Sequence, residues 1–134
     1  MKNNSNTLSQ RDKATKYLED AAKILNEKAG AKDGLYTNSR YVKMAARRAH
    51  FATLLIVDEY LRNRLGENYN KPADLDGYIH HLENSNRKLM PLFISIRDRI
   101  YILGYLHGSK SINNMRLGLK YVHQMLNWIW SIFP

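Results

Sequence analysis

The chain has 134 residues, no cysteine, 21 basic against 12 acidic side chains, and a formal charge of +9. That length fits one domain able to bury a core without covalent staples. The lack of cysteine excludes disulfide scaffolds, thiolate nucleophiles and cysteine-bound zinc, and favours a cytoplasmic setting. The positive balance admits an acidic partner such as nucleic acid, but the basic residues are scattered rather than blocked, which is first of all the pattern of a solvated surface.

Residues 1–8 begin Met1-Lys2-Asn3-Asn4-Ser5-Asn6 and hold no apolar stretch of the secretory kind. They are expected to be a disordered polar N-terminus, followed by a single helical-bundle domain over 9–134. A first helix is predicted from Ser9 to Ala29. Ser9 with Asp12 has capping spacing, Gly30 is a natural stop, and Ala14, Tyr17, Leu18, Ala21, Ile24 and Leu25 form the stripe. After a turn-rich link, a second helix runs from Asn38 or Ser39 to Leu65. Its face of Val42, Ala45, Ala46, Ala49, Ala52, Ile56 and Tyr60 is small enough to sit at the centre of a bundle, while Arg40, Lys43, Arg47, Asp58 and Arg62 are assigned to water.

The stretch from Gly66 to Pro72 reads as a loop, and Asp74 as the cap of a short helix carrying Leu75, Tyr78, Ile79 and Leu82. The next helix is predicted from Asn86 or Met90 to His107, with Pro91 in its first turn or at a kink. Leu89, Leu92, Phe93, Ile96, Ile100, Leu103 and Leu106 are assigned to its core side. The last helix, Ser111 to Phe133, has the clearest pattern. Ile112, Met115, Leu119, Val122, Leu126, Ile129 and Phe133 repeat at three and four, and Tyr121, Met125, Trp128 and Ile132 lie beside them. Polar interruptions keep this segment short of a membrane span. Its apolar arc is wider than one packed face needs, so either two neighbouring helices are covered or part of it meets another protein. Tyr121, Met125, Trp128 and Ile132 are the expected homodimer interface. The fold class is all-α, an up-and-down bundle of four long helices plus one short helix.

Little in the sequence points to chemistry. His80 and His81 are adjacent, and neighbouring helical residues diverge by about 100 degrees, so the two do not share a metal. The carboxylate pairs Asp58-Glu59, Asp74 with Asp76, and Glu19-Asp20 are more simply ion-paired, capping or solvated. Gly104 and Gly108 lack the preceding strand and the lysine of a phosphate-binding loop. No cofactor or metal is expected. Arg40, Lys43 and Arg47 stack at three-four spacing into a basic face, with Tyr36 ahead of them as a single aromatic platform for nucleic acid.

The segments Ala14-Thr15-Lys16-Tyr17-Leu18-Glu19-Asp20-Ala21, Lys32-Asp33-Gly34-Leu35-Tyr36 and Tyr41-Val42-Lys43-Met44-Ala45-Ala46-Arg47-Arg48-Ala49-His50 resemble those of the HEPN superfamily of small helical bundles, and within it a family of small uncharacterised bacterial proteins. The resemblance runs from about residue 9 to 130 on loose, helical motifs. It implies dimers and, in many members, metal-independent RNA cleavage by an arginine, four to six intervening residues and then a histidine, the motif meeting its copy across a two-fold axis. Arg99 and His107 have one residue too many between them, and Arg97 lies further off. Arg116 and His123 fit the spacing, but Leu117 follows where active members carry a polar residue. The expected function is a non-enzymatic interaction or scaffold module, homodimeric through its last helices, with a protein encoded next door as a further candidate partner. The alternative is an HEPN-type RNA-binding protein or ribonuclease using Arg97, Arg99, His107, Arg116 and His123, arginine for phosphate and histidine for proton transfer.

Overall fold

The computed structural model describes residues 9–132, so the expected disorder of residues 1–8 and the place of Phe133 lie outside the described residues. Helix α1 spans Gln10–Glu27. Ser9 caps it by accepting the Asp12 N–H at 3.1 Å, and Ala14, Leu18, Ala21 and Leu25 are buried along one side. The helix ends because Gly30 takes a left-handed φ of +69°, where a Cβ would also run into the Thr37 hydroxyl.

The turn-rich link is a small antiparallel hairpin, β1 (Ala31–Lys32) and β2 (Leu35–Tyr36). Asp33 and Gly34 both have positive φ, the geometry of a tight hairpin turn. Two-residue strands are too short to show alternation in a sequence. The hairpin is strapped to the chain ahead of the last helix. Tyr36 N–H donates to the Lys110 carbonyl at 2.8 Å, and Leu35 bridges to Ser111.

Helix α2, Ser39–Leu65, starts from Asn38, whose side chain accepts the Arg40 N–H at 3.0 Å. Its buried face of Val42, Ala45, Ala46, Ala49, Ala52 and Ile56 lets neighbouring backbones come close, and α1 packs along it. A 3₁₀ turn, Gly66–Asn68, leads to the loop before α3 (Leu75–Ser85), where Asp74 accepts the Gly77 N–H at 2.9 Å.

Helix α4, Leu89–Ile96, carries Pro91 in its first turn and runs straight into a π-helical segment, Arg97–Leu106. At the segment's end the His107 N–H still reaches back five residues to the Ile102 carbonyl, at 3.1 Å. Helix α5 covers Ile112–Ile132. The described chain is therefore all-α apart from the hairpin.

The π segment corrects the core assignment of Leu103 and Leu106, which are 41% and 49% exposed. Bonds of the i→i+5 kind take more than four residues into each turn, so the buried positions after Ile96 fall at Ile100 and Gly104 and the leucines rotate outward. Close approach depends on the missing side chain at Gly118, where a Cβ would sit 2.6 Å from the Ile100 Cδ1. Asp58 is corrected in the opposite direction. Assigned to water, it is 5% exposed, because hydroxyls from two later segments reach it.

Candidate functional site

Asp58 sits on α2 where the 69–78 region folds back. Its Oδ1 accepts the Tyr69 hydroxyl at 2.5 Å and the Tyr78 hydroxyl at 2.9 Å, and Lys71 Nζ lies 3.7 Å from Oδ2. A buried carboxylate is tolerable only with such partners. Burial, then the bond to Asp58 and its negative charge, push both phenols far above their ordinary value. The cluster pins the loop and α3 to α2. Its neighbour Glu59 pairs with Arg62 at 3.3 Å.

Next to this cluster, rings from three helices form one row. Tyr17 of α1 meets Phe51 edge-on at 5.7 Å. Phe51 neighbours His50 at 6.4 Å, and His50 lies 4.7 Å from Tyr101, which in turn contacts Tyr105 at 5.9 Å. Cations border the row. The Arg47 guanidinium lies 5.1 Å over the Phe51 ring, and Lys13 and Lys71 line the adjoining clefts. Burial lowers His50 to about 4, so its imidazole is neutral at pH 7. Of the predicted basic face, Arg40, Lys43 and Arg47 are all exposed, and the Lys43 stem lies against Gly108. Tyr36 is elsewhere, on the hairpin. Sequence reading finds one platform, because the five rings come from positions 17, 50, 51, 101 and 105 and share no local spacing.

The predicted interface residues divide. Met125 is wholly buried and Tyr121 and Trp128 are half-buried against the core, while Ile132 is 44% exposed. Met125 is thereby removed from any free surface, since α5 needs a wide arc to cover α2 on one side and α4 with the π segment on the other. The outward face of α5 is polar, with Arg116, Lys120, His123, Gln124 and Asn127 exposed.

The arginine and histidine candidates do not gather. Arg99 donates to the Asn114 Oδ1 at 3.3 Å, the Asn114 amide donates to the Arg99 carbonyl at 3.1 Å, and the guanidinium lies 6.0 Å from the Tyr121 ring. Arg97 pairs with adjacent Asp98 at 2.9 Å. His107 is exposed just beyond the π segment. Arg116 and His123 stand two turns apart on α5, about 10 Å along its axis, and Arg116 lines a cleft toward α1.

These features define a class: a small helical bundle whose side-chain clusters either lock its own loops or line shallow clefts between helices. The chain belongs to the family defined by a domain of unknown function, DUF5618, whose model matches residues 9–131. Among solved structures it is similar to a protein of unknown function from Dyadobacter fermentans, with 27% identity and a TM-score of 0.81, covering 95% of this chain and 100% of that one. No curated protein matches.

Proposed function

We propose that the chain is a non-enzymatic interaction module that pairs with a second copy along the seam between α5 and the π segment. The observation that carries this reading is the outward turn of Leu103, 41% exposed. It follows Arg99 by about one wide turn and so shares the side that meets Asn114 and Tyr121. Half-buried Tyr121 and Trp128 and exposed Ile132 continue the same flank along α5. Tyrosine, tryptophan and arginine are the residues that dominate interface energetics, and a two-fold contact would use one such flank from each copy. Sedimentation velocity at about 100 µM tests the reading. Wild type should run as a dimer, and Leu103→Asp and Trp128→Asp as monomers with unchanged helix content. A wild type that stays monomeric overturns it. A protein encoded next door remains the alternative occupant of the same flank.

The ring row supports a second reading, single-stranded RNA binding in keeping with the HEPN resemblance. Tyr17, Phe51, His50, Tyr101 and Tyr105 supply the several platforms that stacking requires, with Arg47, Lys13 and Lys71 for phosphate. Labelled mixed-sequence RNA should bind at low salt and be released as salt rises, and Arg47→Glu and Tyr101→Ala should each weaken it. No anisotropy change at low salt eliminates this reading. The same incubation reports cleavage, which His123→Ala or His107→Ala would abolish in a ribonuclease.

A further inference from the structure

The gap between α1 and α5, closed at one end by the hairpin, is a cleft of about 370 Å³, near the lower end of the roughly 300–1,000 Å³ typical of small-molecule sites. Leu25, Ile112 and Leu119 give it an apolar floor, and Asn26, Tyr36 and Arg116 stand around it. Among the described residues none of these three polar side chains makes a hydrogen bond, and no carboxylate pairs with Arg116. None of the lining residues is acidic. The neighbouring surface cleft differs, for there Asp20 and Glu27 sit among Lys23, Lys28 and Arg48 and the charges largely cancel.

From this arrangement we infer that the cleft binds a small amphiphilic anion, its carboxylate or phosphate head on Arg116 with Tyr36 and Asn26, and its hydrocarbon body on Leu25, Ile112 and Leu119. Arg116 offers a fork of donors suited to either head group. The Tyr36 phenol, raised by burial against the opposing pull of Arg116, is protonated at neutral pH like any phenol and offers its hydroxyl as a donor. The site is also held in place before anything binds. The strap that joins Tyr36 N–H to the Lys110 carbonyl, and Leu35 to Ser111, fixes the hairpin against the start of α5, so little ordering remains to be done on binding.

Amide chemical-shift titrations of the full chain test this with octanoate, octyl phosphate, octanol and inorganic phosphate at up to a few millimolar. Octanoate or octyl phosphate, or both, should saturate and shift amides of residues 22–36 and 112–119, and the tighter of the two identifies the head group. Octanol and inorganic phosphate should bind at least about tenfold more weakly, each lacking one half of the recognition. Arg116→Gln, at an exposed position that leaves the fold intact, should weaken the alkyl anions about tenfold without changing octanol. Tyr36→Phe should weaken them by a smaller factor. Octanol matching octanoate, inorganic phosphate matching octyl phosphate, an unaffected Arg116→Gln, shifts centred elsewhere, or no saturation by either alkyl anion would each overturn the assignment. The cleft lies on the α1 edge of α5 and the proposed pairing seam on the π-segment edge, so a failed titration leaves the oligomer measurement untouched.

Discussion

The α1–α2 pair and the α4–π–α5 group are both helical packings, yet they solve the problem differently. In the first, both helices keep one pitch, and buried alanines at Ala14, Ala21, Ala45, Ala49 and Ala52 bring the two axes close. In the second, the pitch widens after Ile96, and contact is made by Ile100 fitting over Gly118 and by Gly104 lying against Met115. Constant pitch makes a stripe of sequence into a stripe of surface. Where the pitch changes, identical spacing delivers a leucine to solvent.

The largest expected effect breaks that contrast open. Ile100→Ala should cost about 4 kcal/mol, the range for emptying a packed core position, whereas Leu103→Ala should cost under about 1 kcal/mol because so little is buried there. Urea denaturation of both variants in the monomeric Trp128→Asp background, where no pairing contact of Leu103 contributes, measures the difference. Equal losses would mean that the segment packs with α-helical phase and Leu103 inside.

Asp58→Ala comes next, at about 3 kcal/mol, since it strands two hydroxyls in the loop-to-α2 contact and removes an ionised acceptor. Limited proteolysis should then cut near residues 66–74 well before α1 or α2. An unchanged digestion pattern would deny the cluster its role in holding the loop.

The residues explain why part of this was legible. Ser9, Asn38 and Asp74 announce their helix starts through side chains that bond within three positions, and α5 declares itself by unbroken periodicity. The π segment has no residue signature, so its phase had to come from packing. Asp58 reads as solvated in the sequence because its partners lie 11 and 20 positions away. The ring row drew on three helices. In the sequence Arg116 stands out only by its spacing to His123, because its neighbours across the cleft, Asn26 and Tyr36, are far off in the chain.

Acid separates the ring row from the pairing seam. His50 falls from 6.5 to about 4 on folding, so the folded state prefers the neutral ring. Its contribution is complete above pH 6.5 and is lost as pH drops through 6.5 toward 4. The loss should reach about 2 kcal/mol at pH 4, discounted for the ring's partial exposure. Comparing wild type with His50→Phe by urea denaturation at pH 7 and pH 4 isolates it. Parallel losses in the two proteins would place the acid sensitivity elsewhere.

Base gives the smallest effect and tests the α2–α3 lock by a different route. Tyr69 and Tyr78 both titrate above their unfolded value of 10.0 when folded, because burial and the Asp58 carboxylate disfavour a second negative charge. Their stabilising contribution is therefore whole below pH 10 and drains as pH rises beyond it, when the unfolded chain releases protons that the folded chain retains. Tyr78→Phe should lose about 1 kcal/mol at pH 7, the worth of one hydrogen bond, while Tyr69 keeps Asp58 partnered. Above pH 10 the variant's deficit should shrink, since wild type alone then pays for holding that phenol protonated. Phenolate absorbance on raising the pH gives the independent reading. Two of the nine tyrosines should resist ionisation until the helices melt, and normal titration of all nine would show that neither hydroxyl is held on Asp58.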